Sequence, residues 1–133
     1  MPVYVSMIRP VAEYCSVVFH TLITTADSLE LERVQAQALK TIYNWKLSYR
    51  ALLEKAQLER LDVRRERAFL KLATKLSQDN RFASWFPLRA HRHNQPRPGS
   101  EKYKIFHSST ARYFRSPLNM MRRCLNDVIK DEA

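Results

Sequence analysis

Residues 29–42 read LELERVQAQALKTI, and this stretch decides the fold because its apolar residues recur at helical spacing. The residues that share one side, and that we expect to be buried, are Leu31, Val34, Ala38 and Ile42. The opposite side, which we expect to face solvent, carries Glu30, Glu32, Arg33, Gln35, Gln37 and Lys40. Residues 25–28, TADS, supply caps for the first turn. A helix with one apolar stripe needs neighbours to cover it, so the remaining segments must supply them.

The segments around this helix repeat the helical pattern. Residues 2–23 carry an apolar stripe in which Pro10 either starts or kinks a helix, with a strand over 16–20 as the second choice. A short helix is expected over 49–56 and a longer one over 61–76. The predicted fold class is therefore all-α: a small helical bundle of about four to five helices with a basic, loop-rich C-terminal half.

The chain changes character after residue 79. Residues 88–101 are rich in proline, polar and basic residues and almost free of apolar ones, which predicts a linker. A Ser-Pro pair then predicts a last helix over about 117–130. We therefore divide the chain into a helical bundle, 1–79, and a basic, aromatic-rich extension, 80–133.

The net charge of +10 is concentrated in the second half. Residues 1–79 hold 12 Lys/Arg against 9 Asp/Glu, whereas residues 80–126 hold 10 against one. Such a block usually faces a polyanion, because lysine and arginine neutralise phosphates and aromatic rings between them stack on bases. The alternative is that the aromatic residues form a core and the basic ones only keep the surface soluble. For Trp85 and Phe86 we expect the core position.

No catalytic or metal-binding set is evident in the sequence. The single glycine argues against a phosphate-binding loop or a dinucleotide fold, and no pair of aspartates could hold the two metals of a polymerase. His91 and His93 could ligate a metal, but Arg92 between them would repel a cation, which favours a solvated basic loop. We therefore expect no metal, no cofactor and no enzymatic activity of this chain.

The N-terminal residues, MPV, lack the basic start of a signal peptide, and no apolar run approaches about 18 residues. Cys15 and Cys124 are far apart in apolar helical patterns, so we expect buried reduced thiols. These features predict an intracellular protein, nuclear or cytoplasmic, with no membrane partner.

Two phrases, IRPVAEYCSVVFH at 8–20 and SLELERVQAQALKTI at 28–42, resemble the region that follows the catalytic core in reverse transcriptases of non-LTR (LINE-type) retrotransposons, especially the jockey-like, RTE-like and related groups. Matching positions in these phrases are Arg9, Pro10, Glu13, Tyr14, Cys15, Ser16, Val18, Leu31, Glu32, Val34, Gln35, Ala38, Lys40 and Ile42. Further phrases, such as RF…WFP at 81–87, follow in order, and the resemblance covers roughly residues 4–126. Phe19 departs from it, because a tryptophan is usual there, as does Asn44, where glycine is frequent.

The resemblance implies a helical thumb, 1–79, and the segment after it, which in the parent enzyme grips the template–primer duplex. The palm with its paired aspartates does not form part of this sequence, so the resemblance does not imply polymerase activity. The partners that the resemblance implies are RNA, DNA or a hybrid, with the palm and fingers of the parent polymerase as a further candidate. The basic residues predicted to contact the backbone, without sequence preference, are Arg64, Arg65, Arg67, Lys71, Arg89, Arg92, Arg97, Lys102, Lys104, Arg112, Arg115, Arg122 and Arg123.

A second hypothesis is a helical protein-interaction module, or a non-functional relic of a retroelement open reading frame. Without a palm, apolar surface around Tyr4, Ile8, Tyr14 and Phe19 would stay exposed and available to a protein partner.

Overall fold

The computed structural model describes residues 2–43, 46–89, 101–107 and 109–131. Across these residues the chain is all-α, as the sequence predicts, and the extended segments form only an isolated antiparallel bridge between Leu88 and Tyr103. The α-helices are α1 (Arg9–Glu13), α2 (Ser16–Phe19), α3 (Thr25–Ile42), α4 (Tyr49–Ala56), α5 (Leu61–Gln78), α6 (Ala111–Phe114) and α7 (Pro117–Asp131). A π-helical turn, Tyr4–Ile8, precedes α1, and a 3-10 helix, Asn80–Trp85, follows α5. None of the helices in these ranges is long and apolar enough to cross a membrane.

The chain divides into two compact units, Met1–Arg67 and Ala68–Ala133, here called the N unit and the C unit. The division falls inside α5, whereas the charge pattern suggested a boundary after residue 79. A helix that continues through a boundary leaves no glycine, proline or polar run to mark it in the sequence.

The N-terminal apolar stripe is not one helix. Pro10 is the second residue of α1, which continues directly from the π-helical turn Tyr4–Ile8, so the proline lies within a helical run and does not start one. The helix then breaks at Cys15, whose φ of 52° is left-handed, and restarts as α2, so the strand over 16–20 was the wrong alternative. Cys15 is exposed and Cys124 half-buried, so the prediction of two buried thiols is also wrong.

Helix α3 forms where predicted, but it buries a different face. Thr24 and Asp27 form a reciprocal capping box at its start. Its buried residues are Glu32, Gln35 and Leu39, two of which were assigned to solvent, whereas Val34 of the predicted apolar stripe is 50% exposed.

Hydrogen bonds within the N unit explain the shifted face, since they satisfy both buried polar side chains. The Glu32 carboxylate accepts from the Tyr49 hydroxyl at 2.5 Å and from the Asp62 backbone N–H at 2.8 Å. Gln35 accepts from the Tyr4 hydroxyl at 2.6 Å and donates from Nε2 to the Tyr49 hydroxyl at 3.0 Å. Burial raises the pKa of Tyr4 to about 12, so this hydroxyl remains a donor at neutral pH.

The next two helices match their predicted spans closely. The Ser48 hydroxyl accepts from the Ala51 N–H to cap α4, which buries Leu52 and ends at Gln57 in a left-handed conformation. Helix α5 buries residues spaced four apart: Leu61, Arg65, Phe69 and Ala73. Three of these are apolar, and Arg65 is the exception.

In the C unit, α7 confirms the helix expected over about 117–130 and holds an extended segment against itself. The Asn126 side chain accepts from the Tyr103 N–H at 2.9 Å and donates to the Tyr103 carbonyl at 3.0 Å. Lys102 and Lys104 flank Tyr103, and their backbone groups bond on the other side of the extended segment. The Lys102 carbonyl accepts from the Arg89 N–H, and the Lys104 N–H donates to the Pro87 carbonyl. Asn126 therefore takes the place of a neighbouring strand.

The core of the C unit includes Phe86, Tyr103, Met121 and Leu125. Phe86 is thus buried as predicted, but Trp85 is 45% exposed and stands outside the core. Its ring packs on Phe82 at the end of the 3-10 helix, with 4.9 Å between ring centroids.

Candidate nucleic-acid interface

Most arginines of the N unit are already engaged by carboxylates of the same unit. Arg64 donates to Glu13 at 2.5 and 3.2 Å, and Arg67 holds Glu59 through two bonds of 2.7 and 2.8 Å. The paired guanidinium of Arg67 lowers the pKa of Glu59, which favours its charged form. Further pairs in the unit are Arg9–Glu13, Arg33–Glu30, Arg50–Glu54 and Arg60–Asp62. These carboxylates offset much of the positive charge that the arginines would otherwise present to a phosphate.

The sequence predicted that Arg65 contacts nucleic acid, and the structure contradicts this prediction. Its side chain is 1% exposed, and Nη2 donates to the Ser28 hydroxyl at 2.6 Å. Nε and Nη1 have no hydrogen-bond acceptor among the described residues. A buried guanidinium cannot present itself to a polyanion, so Arg65 belongs to the interior of the N unit and not to a binding surface.

The C unit uses its few carboxylates locally. Asp79 pairs with Arg81, which lowers the pKa of Asp79, and Glu101 pairs with both Arg89 and Lys130. Among the described residues, the C-unit cations with no carboxylate oxygen within 4.0 Å include Lys71, Lys75, Lys102, Lys104, Arg112, Arg115 and Arg123. Six of these seven belong to the predicted set, and Arg89, the paired exception, remains 55% exposed at its side chain.

Lys75 was missing from the predicted set, although its position carries a readable signal. It is exposed and stands four residues after Lys71 on α5, so the two lysines share one side of the helix. The helix position that predicts a nucleic-acid contact for Lys71 therefore predicts one for Lys75 as well.

The extended segment presents two lysines on the same side. Tyr103 is buried, and its neighbours Lys102 and Lys104 are exposed, as expected when side chains alternate along an extended backbone. The Lys102 ammonium lies 5.4 Å from the Tyr103 ring centroid, and that of Lys104 lies 5.6 Å from the Phe106 centroid. Such contacts orient the ammonium groups but do not neutralise them.

Helix α6 and the residue after it form a second exposed cationic segment, Arg112-Tyr113-Phe114-Arg115. The Thr110 hydroxyl caps this short helix by accepting from the Tyr113 N–H at 3.3 Å. All four residues of the segment are exposed. The guanidinium carbon of Arg123 lies 4.2 Å from the Phe114 ring centroid, so a third arginine approaches from α7.

Arg122 is the second correction among the predicted contacts. It is 4% exposed, donates from Nε to the Trp85 carbonyl at 2.7 Å, and stacks over the Phe106 ring at 4.5 Å. Burial lowers the pKa of this guanidinium. Among the described residues, no carboxylate lies within 4.0 Å of Arg122 to offset its charge. Arg122 therefore fixes the 3-10 helix and the extended segment to α7, and does not contact solvent.

The predicted contacts Arg92 and Arg97 lie outside the described residues, as do His91, His93 and most of the linker predicted over 88–101. Within the described ranges, no three His, Cys, Asp or Glu side chains are grouped as a metal site would require. Leu88, at the start of the predicted linker, pairs in an antiparallel bridge with Tyr103, which lies two residues after the linker's end.

In comparisons with protein-family models, curated proteins and solved structures, nothing matches the chain. Functional assignment therefore rests on the residues themselves.

Proposed function

We propose that this chain is a non-catalytic, C-terminal fragment of a retrotransposon RNA-directed DNA polymerase that binds nucleic-acid backbone without sequence preference. The observation that supports binding is the group of seven C-unit cations with no described carboxylate within 4.0 Å. The polymerase origin is supported by the ordered phrases at 8–20 and 28–42. In this proposal the C unit makes the contacts and the N unit supplies a folded support.

Phosphate contact has a measurable signature. Each neutralised phosphate releases counterions, so the logarithm of the binding constant falls with the logarithm of salt concentration by about 0.7–0.9 per contact. Fluorescence anisotropy with a short RNA–DNA hybrid across a salt series measures this slope, and circular dichroism on the same sample reports the fold. A slope near zero in a folded sample would contradict the proposal.

A pair of fourfold variants locates the contact. Replacing Lys102, Lys104, Arg112 and Arg115 with glutamine should weaken binding by about 10²- to 10³-fold at 0.1 M salt and reduce the slope by about 3. The matched control removes the same four charges from exposed N-unit residues: Arg33, Arg50, Lys55 and Arg60. If both variants lose affinity equally, binding follows net charge alone and the C unit is not the contact surface.

A second candidate, a helical protein-interaction module, is favoured by an apolar groove in the N unit. Met7, Ile8, Val11 and Ala12 line it from one side and Leu31 and Val34 from α3, enclosing about 490 Å³. Val11 is 77% exposed and so gains little hydrophobic stabilisation from folding alone. Self-association that Val34→Glu abolishes would support this candidate, and a monomer at all concentrations in sedimentation velocity would count against it.

A further inference from the structure

The Arg112-Tyr113-Phe114-Arg115 segment exposes two aromatic rings, which contact with a nucleic-acid backbone does not require. Tyr113 is 52% and Phe114 42% exposed, at successive positions of a four-residue helix. Single exposed aromatic residues are ordinary on protein surfaces, but two adjacent rings between two exposed arginines are a specific combination. Aromatic side chains contribute to folding mainly through burial, and here about half of each stays in water.

The backbone that carries these rings is held in place from two directions. Thr110 caps α6, and the Asn119 amide nitrogen of α7 lies 3.4 Å from the carbonyl oxygens of both Phe114 and Phe106. The Asn119 side chain also accepts from the Phe106 N–H at 3.3 Å. A single buried side chain therefore ties the end of α6 to the extended segment that carries Lys104.

The charges beside the rings define what they would bind. Arg112, Arg115 and Arg123 have no carboxylate within 4.0 Å among the described residues, and Arg123 covers part of Phe114. Cations next to a ring neutralise phosphates while the ring stays available to a flat, apolar surface. A base-paired duplex keeps its base faces stacked on one another, so only an unpaired strand offers both phosphates and free base faces.

We infer that the Arg112–Arg115 segment is a stacking platform for single-stranded nucleic acid, in which Tyr113 and Phe114 stack on unpaired bases and Arg112, Arg115 and Arg123 contact the flanking phosphates. This inference rests on the proposed nucleic-acid function and makes it more specific, because it names an unpaired strand as the preferred ligand. The chemistry of stacking is common to RNA and DNA, so the platform discriminates strand pairing and not the sugar.

The experiment compares a labelled oligouridine or oligothymidine of about 12 nucleotides with a duplex of equal length, using the whole chain and fluorescence anisotropy. The unpaired strand should bind more tightly than the duplex at equal salt. Tyr113→Leu with Phe114→Leu should weaken binding of the unpaired strand by about 10- to 100-fold and leave duplex binding unchanged. The matched control is Tyr14→Leu, because Tyr14 is 77% exposed in the N unit and should not affect either ligand.

The aromatic exchange Tyr113→Phe with Phe114→Tyr keeps both rings and should retain binding of the unpaired strand, which separates stacking from any change in fold. If the leucine variant binds the unpaired strand as the unmodified chain does, the platform is excluded while backbone binding stands. If neither strand nor duplex binds the unmodified chain, the proposed function itself fails. These two outcomes are distinct, so the platform is tested separately from the proposal on which it rests.

Discussion

The two units use polar side chains in opposite ways. The N unit buries two charged side chains, Glu32 and Arg65, and pairs most of its surface arginines with its own carboxylates, so its 10 Lys/Arg and 8 Asp/Glu leave little free charge. The C unit holds its extended segment with the neutral amides of Asn119 and Asn126 and with one buried cation, Arg122, and it has 13 Lys/Arg against 5 Asp/Glu. Neutral amides satisfy buried backbone groups without drawing on the surface charge. The lesson is that the number and position of a unit's own carboxylates determine how much positive charge it can present to a ligand.

The largest effect should follow from Glu32→Ala in the N unit. Removing this buried carboxylate leaves the Tyr49 hydroxyl and the Asp62 N–H without an acceptor. The free energy of unfolding should fall by about 3–5 kcal/mol, measured by urea denaturation. The control is Glu54→Ala, an exposed partner of Arg50, which should change it by less than about 1 kcal/mol. Equal losses for the two variants would mean that the buried network adds nothing beyond surface pairing.

A smaller loss is expected for Asn126→Ala in the C unit. The variant leaves the N–H and carbonyl of the buried Tyr103 unpaired, which should cost about 2–3 kcal/mol of unfolding free energy. Asn80→Ala, at an exposed position of the 3-10 helix, should stay within about 0.5 kcal/mol. A neutral Asn126→Ala would show that water replaces the side chain and that no strand-like pairing is needed.

The helices were predictable because their periodicity is strong and their caps are local. Ser48 before α4 and the Ser-Pro pair before α7 mark starts that the structure confirms. The break at Cys15 was not predictable, because a left-handed cysteine carries none of the glycine signal on which such predictions depend. The buried face of α3 was also beyond the pattern, because it depends on partners such as Tyr49, 17 residues from Glu32.

The candidate nucleic-acid interface also has features that the local sequence predicts and features that depend on distant residues. The concentration of basic residues in the second half is visible in the sequence, but whether a given arginine is free depends on distant partners. Glu13 holds Arg64 across 51 residues, and nothing in either local pattern indicates the pair. Arg65 did carry a signal that was missed: it lies between Leu61 and Phe69 on a row spaced by four residues, which is the buried row of α5.

Arg65 and Arg64 offer a matched pair for the third prediction. Arg65→Met removes a buried cation that has one hydrogen bond to Ser28, and it should raise the free energy of unfolding by about 1 kcal/mol or more. Arg64→Met removes the bonded partner of Glu13 and should lower it by about 0.5–1 kcal/mol. Urea denaturation of both variants gives the signs. A destabilised Arg65→Met variant would show that the guanidinium has a further acceptor in solution, such as ordered water.

The smallest effect concerns pH and His20. Burial is the main cause that lowers the pKa of His20 from 6.5, and the positive charge of Arg65 lowers it further, against opposing contributions from Glu66 and Asp62. As the pH falls through about 6.5, His20 takes up a proton in the unfolded chain but remains neutral in the folded chain. The contribution of His20 to the free energy of unfolding is therefore fully present above about pH 6.5. It should decline as the pH falls from about 6.5 towards the lowered folded value. Chemical denaturation at several pH values should show this decline, and His20→Gln should flatten it. Because Arg65→Met removes the neighbouring charge, it should also shrink the decline. An unchanged decline in that variant would assign the shift to burial alone.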